Sequence, residues 1–415
     1  MALFPYAHAT HPHWPMAVGL VLAQIKAHMA SAQYADAPTL GVLYVTDNFA
    51  AHAQDILDAL QVELPTVTDW VGSVGLGVVS NNAEYWDEPA LAVMLLDVPH
   101  HHYRVFSGVT PLGGDFVAHT ALVHGDAHTQ DPAELVRELA ANMQSGQLFG
   151  GFASCRADSF QLACSSRGTT RGSAGIGNVL QGGLSGVAFG PGIRTIHTVS
   201  QGCQPLGTSR TVTDSDHNLV LALDGQPALD VMFNDLRLDS ARPQDVLDEV
   251  RTTLVGLVRP EDAQWLHRVV PQVGPFQQDA TVRQVIGLDP ARRGVAVAAA
   301  VVPSTQLVFC KRDRQSARLD LVRVCTEVRE ALESQEAELD LLPKEGAQIA
   351  GAIYVSCTAR GGGAMGPMGA EMQLVQRALG DVPVVGFYAA GEIGHHHIYS
   401  YTGVLTVFLQ SDDVA

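Results

Sequence analysis

The sequence is short of charged side chains and of cysteine. Of its 415 residues only 16% are Asp, Glu, Lys or Arg, whereas 47% are hydrophobic. This balance excludes an intrinsically disordered chain, because disorder requires low hydrophobicity and high charge. The six cysteines are scattered and form no Cys-Xaa-Xaa-Cys pair, which favours reduced thiols and a cytoplasmic setting.

Basic residues are outnumbered, long apolar runs are missing, and the first residues lack the pattern of a signal peptide. The formal net charge of -18 disfavours nucleic acid and anionic membrane surfaces as partners. The longest apolar stretch, Val295–Val302, is far too short to span a bilayer. Met1–Met16 lacks the basic and apolar regions of a signal peptide. We therefore expect a soluble cytoplasmic protein without nucleic-acid or membrane partners.

What the sequence does contain is an alternation of strand and helix patterns. A chain of this length exceeds one ordinary core, so two or three domains are expected. Short runs rich in Val, Ile and Leu alternate with helical stripes. This alternation predicts an α/β protein with mixed sheets covered by helices. A turn near Gln226–Asp230 is the predicted boundary between two domains.

Three stretches repeat the order strand, helix, strand, strand, and the helix of each is predicted to connect a parallel pair of strands. The copies are Gly41–Asp97, Ala121–Phe189 and Ile353–Phe408. Aligned by content, their first strands share a position held by Tyr44, Leu122 and Tyr354. Their second strands share a glycine, which is Gly72, Gly150 or Gly386. A common repeated unit is therefore predicted.

Local patterns also predict individual elements. Gln244–Val258 has apolar residues at helical spacing and is predicted to be a helix. Trp70–Val79 is predicted to be one glycine-broken strand. Asp131 is the predicted N-cap of a helix at Pro132–Met143. Ser165–Gly177, rich in serine, arginine and glycine, is predicted to be a loop.

Polar residues gather where the strands of the third copy end. Ser356, Cys357 and Arg360 follow its first strand, and Gly391 and Glu392 follow its second. Such strand ends are where open α/β sheets hold ligands. Arg360 offers a planar fork for a carboxylate, and Glu392 can accept from an ammonium. This chemistry suits a zwitterionic amino acid; a structural ion pair between Arg360 and Glu392 is the alternative.

Other candidates are less specific. Cys357 could act as a thiol nucleophile, but no Cys–His–Asn order is visible, so we expect no catalysis. Gly361–Gly366 precedes a helix but lacks the lysine of a P-loop, which favours a ligand gate or a plain turn. The histidine triples His100–His102 and His395–His397 would point to alternate faces of a strand, so no metal site is expected. Haem needs an axial ligand in an apolar pocket, for which the sequence offers His100, His102, His124, His197 and His397 without choosing among them.

Three motifs together carry a family resemblance. The first comprises Ser356-Cys357-Xaa-Xaa-Arg360-Gly361, Gly386-Phe387, Gly391-Glu392-Ile393-Gly394 and Thr402. The other two are Gln201-Gly202-Cys203-Gln204-Pro205-Leu206-Gly207 with Val212-Thr213, and Val71-Gly72-Ser73-Val74-Gly75-Leu76-Gly77-Val78. In this combination the chain resembles the FIST proteins (F-box and intracellular signal transduction), and the three histidines at 395–397 depart from that family's usual loop.

The resemblance implies a FIST N domain at residues 16–228 and a FIST C domain at residues 229–410. It implies a stand-alone bacterial sensory protein that binds a small ligand, such as an amino acid. Its signal would pass to a separate histidine kinase or cyclic-nucleotide signalling protein. The alternatives are a haem-binding nitric-oxide sensor of the FIST type and a Cys-dependent enzyme. No catalytic residue, metal site or resident cofactor is expected, and the expected ligand-binding residues are Ser356, Cys357, Arg360, Gly361, Gly391, Glu392, Gln201, Cys203 and Arg210.

Overall fold

The computed structural model describes residues 2–165, 178–238, 249–260, 280–338 and 348–410. Apart from Ser165, the predicted loop at Ser165–Gly177 lies outside these residues. The chain divides into two compact units. The larger unit consists of Met1–Ser200 and Leu321–Ala415, and the smaller unit is Gln201–Asp320. These units divide the chain at other positions than the predicted domains, whose boundary stays a prediction about the sequence.

The helices with defined bounds are amphipathic elements that follow or cover the strands. They are α1 (Trp14–Met29), α2 (Ala53–Glu63), α3 (Pro132–Ala141), α4 (Ala228–Leu236), α5 (Arg314–Glu338) and α6 (Ala370–Leu379). None of these described helices is both long and apolar enough to cross a membrane.

The larger unit contains three six-stranded mixed sheets. In spatial order, the first sheet consists of β1 (Tyr6–Thr10), β6 (Ala90–Leu96), β2 (Leu40–Thr46), β3 (Asp69–Gly75), β10 (Gln161–Ser165) and β11 (Val179–Leu180). The second consists of β25 (His397–Tyr399), β24 (Gly391–His395), β9 (Gln147–Ala153), β8 (Thr120–Asp126), β12 (Leu184–Phe189) and β7 (Tyr103–Phe106). The third consists of β13 (Thr195–Gln201), β26 (Thr402–Leu409), β22 (Ile349–Cys357), β23 (Val384–Ala389), β4 (Gly77–Ser80) and β5 (Ala83–Trp86).

The predicted repeat is confirmed, with one copy in each sheet. In the first sheet α2 connects the parallel strands β2 and β3, and β6 lies antiparallel to β2. The strands β8, β9 and β12 repeat this arrangement with α3, and β22, β23 and β26 repeat it with α6. The mixed α/β class predicted from the sequence is likewise confirmed.

The strand that follows each parallel pair leaves its own sheet. β4 follows β3 but pairs with β23 of the third sheet. β10 follows β9 but pairs with β3 of the first sheet, and β24 follows β23 but pairs with β9 of the second. The prediction of one strand at Trp70–Val79 was therefore wrong, because its two halves belong to different sheets. Each repeat thus supplies a strand to the sheet of another.

A glycine in each second strand fixes how the copies correspond. A Cβ there would lie closer than 3.0 Å to a main-chain oxygen of the first strand, a separation that real Cβ atoms essentially never show. The glycines and the residues they face are Gly72 with Leu43, Gly150 with Val123, and Gly386 with Tyr354. The predicted glycine alignment agrees with this register, whereas the predicted alignment of Tyr44 and Leu122 with Tyr354 was wrong by one residue in each copy.

Each sheet of the larger unit has one face on a shared core and the other under helices. Because side chains alternate along a strand, neighbours such as Val42 and Leu43 enter different clusters. Val42, Leu122 and Ile353 bring the three sheets into one central cluster. The outer faces pack on α1 and α2, on α3, and on α5 and α6 respectively.

The smaller unit is built around a closed, six-stranded antiparallel barrel. Its strands, in order around the ring, are β21 (Gln306–Arg312), β15 (Arg210–Asp216), β16 (Leu219–Leu223), β20 (Gly294–Val297), β19 (Thr281–Asp289) and β18 (Thr253–Val258). Two short strands, β14 (Cys203–Pro205) and β17 (Gln226–Pro227), pair with β21 and β16. Valine, leucine and phenylalanine side chains, among them Val212, Val255 and Phe309, form its core.

Two local predictions failed where tertiary contacts overrode a sequence pattern. The predicted helix at Gln244–Val258 ends instead in strand β18, whose residues pair with β19 and β21 on its two sides. Its residues 244–248 lie outside the described part of the chain. Asp131 precedes α3 in a left-handed conformation, and its side chain makes no capping hydrogen bond. Apolar periodicity alone therefore did not separate a helix from a barrel strand.

Candidate functional site

The end of the parallel pair β22–β23 brings together the polar residues predicted for the third copy. Cys357 is the last residue of β22 and pairs with Ala389 at the end of β23. The chain then turns through Thr358–Arg360 on one side and enters β24, which contains Glu392, on the other. The Cys357 thiol hydrogen-bonds the Glu392 carboxyl, and Arg360 interacts with that carboxyl electrostatically. We call this the strand-end site.

Arg360 is almost completely buried, with 5% of its surface exposed. Its Nη2 lies 2.8 Å from Oε1 of Glu371 in an ion pair, and its Nη1 donates to the carbonyl oxygen of Ser200 at 3.2 Å. Its Nε has no acceptor among the described residues. Burial alone would lower the pKa of Arg360, but its electrostatic interactions, those with Tyr354 and Glu371 foremost, raise it, so the guanidinium stays charged.

Glu371, on α6, is the partner that sequence reasoning missed. Its carboxylate also accepts hydrogen bonds from the Tyr354 hydroxyl at 2.6 Å and from the Ser356 hydroxyl at 3.1 Å. No ion pair within 4.0 Å joins Arg360 to Glu392 in the described structure, so the pair considered from the sequence forms with Glu371 instead. A signal existed, because Glu371 lies four residues before Val375, on the apolar stripe of its helix.

A second acid, the half-buried Glu84, holds the start of α6 in place. Its Oε1 accepts the backbone N–H groups of Glu371 at 2.9 Å and of Met372 at 3.0 Å. A carboxylate in this position accepts hydrogen bonds from N–H groups that have no partner within the helix. It also interacts favourably with the positive end of the helix dipole. Burial is the main cause that raises the pKa of Glu84, with Glu371 adding to it. Glu84 lies on β5, so the first repeat helps to position the site of the third.

Glu392 is fully buried and only half of its carboxyl group is well satisfied. Oε2 accepts from the Thr402 N–H at 3.1 Å and from the Thr402 hydroxyl at 2.8 Å. Oε1 accepts no N–H or O–H hydrogen bond from the described residues. Burial raises the pKa of Glu392 to about 7. Burial, reinforced by the charge of Glu392, raises the pKa of the Cys357 thiol to about 12.

The three repeats allow an internal comparison of this position. In each sheet, the residue after the shared glycine of the second strand pairs with one residue of the strand that another repeat supplies. These pairing partners are Val78, Gln161 and Glu392. Val78 is apolar. Gln161 is fully buried, but its amide donates to Gly182 at 3.0 Å and accepts from Ser185 at 2.7 Å. Glu392 is thus the member of the trio that combines an ionisable group with an unsatisfied oxygen.

An aromatic residue and a glycine-rich turn flank the strand-end site. The Trp86 ring lies so close to Gly361 that a Cβ there would overlap it. Trp86 also contacts the Tyr388 ring edge-on, with centroids 5.0 Å apart. Gly362 and Gly363 follow with φ of 60° and 88°, a region that strongly favours glycine. The turn therefore requires glycine both for its backbone and for the approach of Trp86.

The remaining predicted ligand residues lie in the smaller unit. Arg210 forms a two-point ion pair with Asp235, at 2.6 and 2.9 Å. The Gln201 amide donates to the Ala280 carbonyl at 2.9 Å. Cys203 is buried beside another barrel thiol, Cys310, whose pKa it raises. The structure thus gives each of the three a partner within its own unit.

Comparison with known proteins identifies the family of the chain. The family model described as the FIST N domain matches residues 39–226. The model described as the FIST C domain matches residues 228–395. The chain belongs to the FIST family. FIST domains are sensory and signal-transduction domains. Most residues of the strand-end site lie within the C-domain match, whereas Glu84, Ser200 and Thr402 lie outside it.

The FIST protein has full-length relatives in mycobacteria. An uncharacterised protein of Mycobacterium tuberculosis (strain ATCC 25618 / H37Rv) is 28% identical over 403 residues, covering 93% of this chain and 95% of the relative. An uncharacterised protein of Mycobacterium bovis (strain ATCC BAA-935 / AF2122/97) is 26% identical over 392 residues, covering 90% and 91%. Both alignments extend over nearly the whole of this chain and of the relative.

Two of the histidines that were considered for haem ligation, His124 and His197, already have partners. His124 has Nε2 3.2 Å from the Tyr44 hydroxyl and is packed against the Tyr44 and Phe387 rings. Both ring nitrogens of His197 lie within 3.0 Å of threonine hydroxyls. Burial lowers the pKa of each to about 3. A porphyrin would have to displace these contacts, so neither residue fits the role of axial ligand as placed.

The two histidine triples have different settings. His100–His102 forms a short 3-10 helix rather than the predicted strand. In the other triple His395 ends β24 and His397 begins β25. Burial, with His396 and His397 adding to it, lowers the pKa of His395 to about 4. Within the described residues no group of three or more His, Cys, Asp or Glu side chains is placed to hold a metal ion.

The buried carboxyl of the FIST protein makes stability depend on pH in a defined direction. Because the pKa of Glu392 is raised from 4.5 to about 7, the native state binds this proton more tightly than the unfolded chain does. The resulting stability is fully present below about pH 4.5 and is lost as the pH rises through about 7. Glu392→Gln stays neutral throughout. We expect its free energy of unfolding, relative to that of the wild type, to rise by about 3 kcal/mol as the pH increases from about 4.5 to about 7.

Urea unfolding of both proteins from pH 5 to pH 8.5 measures this difference. The buried histidines change the stability of both proteins equally as they titrate, so the difference isolates residue 392. A difference that does not change with pH would mean that Glu392 keeps an ordinary pKa.

Proposed function

We propose that this FIST protein is a non-catalytic sensor whose small ligand, such as an amino acid, binds at the strand-end site and alters the surface offered to a separate signalling partner. One observation carries the proposal. A fully buried carboxyl, Glu392, has an oxygen that meets no N–H or O–H donor in the described part of the chain, although its counterpart Gln161 has partners at both ends of its amide.

An unsatisfied buried polar group is costly, which is why it points to a ligand. Leaving a buried acceptor without its hydrogen bond costs about 1–3 kcal/mol, and more when the group is charged. Such groups are rare in native proteins. The Arg360 Nε, a donor for which the described residues supply no acceptor, lies in the same network. A ligand that satisfies these atoms regains that free energy on binding.

The chemistry of Cys357 argues against the enzyme alternative. Its thiol is buried and its pKa is raised to about 12. The thiolate is the nucleophilic form, and reactive cysteines have lowered pKa values in partly exposed, electropositive surroundings. Cys357 instead faces an acid, Glu392. These properties support a packing and hydrogen-bonding role.

A sensor also requires two conformations that differ in affinity for the ligand. The turn at Gly361–Gly363 and the Trp86 ring are the parts beside the site that could differ, since four glycines between 362 and 369 have positive φ. Trp86 and Glu84 both lie on β5. Movement of β5 would reach α6 through Glu84, and so alter the outer face of the third sheet. The proposed partner that binds this face is a histidine kinase or a cyclic-nucleotide signalling protein.

A thermal-shift screen of free amino acids, amines, nucleotides and haemin tests the proposal. A ligand that binds only the native state raises its unfolding temperature by mass action. We expect Glu392→Gln to abolish the shift produced by any hit. Asp126→Asn is the matched control: Asp126 ends β8 as Cys357 ends β22, and it is satisfied by Ser159 and by the Gly182 N–H. The control should keep the shift.

Three outcomes would contradict the proposal. Equal ligand shifts in the wild type and Glu392→Gln would place binding elsewhere. Stabilisation by haemin alone, with a Soret band, would favour the gas-sensor alternative. Turnover of a substrate that is lost in Cys357→Ser would favour the enzyme.

A further inference from the structure

We infer that the strand-end site selects a protonated amine bearing a neutral hydrogen-bond acceptor, and that it disfavours the carboxylate of a free amino acid. This inference rests on the proposed function, because it specifies the ligand of the same site, and it replaces the free amino acid named there as an example by an amine without a carboxylate. It also changes the role assigned to Arg360 from the sequence, where its guanidinium was expected to bind a carboxylate.

The guanidinium of Arg360 is largely occupied by the protein itself. Its Nη2 pairs with Glu371 at 2.8 Å, and its Nη1 donates to the Ser200 carbonyl at 3.2 Å and contacts the Ser200 hydroxyl at 3.4 Å. A carboxylate is recognised best by two parallel N–H donors. Only the single Nε remains without an acceptor among the described residues. One donor suits a hydroxyl or a carbonyl oxygen.

The balance of charge around Arg360 points the same way. Three acids, Glu84, Glu371 and Glu392, act on this network: Glu371 and Glu392 both raise the pKa of Arg360, and Glu371 also raises the pKa of Glu84. The one guanidinium among them is already neutralised by Glu371. A ligand carboxylate would add a further anion to a buried site whose charge is already negative when Glu392 is ionised. Buried charge without a partner is strongly unfavourable, so an anionic group is disfavoured.

An ammonium group meets the opposite condition. Among the residues that the structure describes, none offers an N–H or O–H donor to Oε1 of Glu392, and its neighbour Cys357 offers a thiol, which is a weak donor. An ammonium N–H is a strong donor to a carboxylate and supplies the missing positive charge. The Oε2 atom is held by Thr402, which fixes the direction in which Oε1 points. Glu392 therefore recognises the amine, and the Arg360 Nε recognises a neutral oxygen nearby.

Matched ligand sets test this inference by isothermal titration calorimetry at pH 7.5. Each set keeps one side chain and changes the polar groups: the amino alcohol has an ammonium and a hydroxyl, the amino acid has an ammonium and a carboxylate, and the 2-hydroxy acid has no ammonium. Three sets, derived from alanine, leucine and phenylalanine, cover small, branched and aromatic side chains.

We expect an amino alcohol to bind at least tenfold more tightly than the amino acid of its set, and no 2-hydroxy acid to bind measurably. Glu392→Gln should weaken the amino alcohol at least tenfold, and Asp126→Asn should leave its affinity unchanged. Tighter binding of the amino acid, or binding of the hydroxy acid, would overturn the amine inference while leaving the proposed sensor intact. If no compound of the nine binds and the wider thermal-shift screen also has no hit, both fail.

Discussion

Replacement of Arg360 by methionine should lower the free energy of unfolding by about 3–5 kcal/mol, because it leaves Glu371 as a buried carboxylate without its cation. Both side chains are almost inaccessible, at 4% and 1% exposure, so water cannot replace the lost partner. Urea denaturation at pH 7 measures the change. The site test for ligand binding therefore uses Glu392→Gln, since Arg360 variants are expected to destabilise the larger unit itself.

A double-mutant cycle separates the ion pair from the loss of the arginine alone. Glu371→Gln keeps an acceptor for Tyr354 and Ser356 while removing the charge. The double variant with Arg360→Met should lose less free energy of unfolding than the sum of the losses in the two single variants. The expected coupling energy is about 1–3 kcal/mol. Arg210→Met is the comparison in the smaller unit: its ion pair with Asp235 is partly exposed, so a smaller loss is expected. Additive single effects would show that Arg360 and Glu371 do not stabilise each other.

Gly386→Ala should lower the free energy of unfolding by at least as much as the replacement of Arg360. Its Cβ would fall on the carbonyl oxygen of Tyr354, and a backbone atom cannot rotate away as a side chain can. The parallel strands β22 and β23 would have to separate where the strand-end site is held. We expect a loss of more than about 3 kcal/mol in unfolding free energy, together with loss of the ligand-induced thermal shift.

Gly19→Ala is the control for the glycine prediction. Gly19 lies within α1, is exposed, and a Cβ there would meet no atom within 4 Å. Alanine at an exposed helix position stabilises by about 1 kcal/mol relative to glycine. Opposite signs for the two glycines are therefore expected. A mild effect of Gly386→Ala would indicate that the strands tolerate a wider spacing than the structure shows.

Much of the repeat could be predicted from the sequence because its signals are local. The apolar run, the crossover helix and the glycine of each copy lie within about 60 neighbouring residues, and parallel strands require such a crossover. The exchange of β4, β10 and β24 between sheets could not be predicted in this way. The pattern of Val78 and its neighbours indicates a strand, but which edge it joins depends on how the three sheets pack.

The candidate site shows the same division. Cys357, Arg360 and Glu392 were identified because they stand at strand ends, where the topology forces convergence. Glu84 and Glu371 were missed, although both determine the charge of the site. Their contact joins residues 287 positions apart, and no periodicity connects them.

The sequence by itself determined that this protein is an α/β member of its family, with three similar units whose strand ends carry polar residues. Tertiary structure decided that Arg360 is held by Glu371 and that Glu392 keeps an unsatisfied oxygen. The hydrophobic pattern can be detected in the sequence alone, because it repeats with the period of a helix or a strand. The partner of a buried charge is set by which segments meet in space, and Arg360 meets Ser200 across 160 residues of sequence.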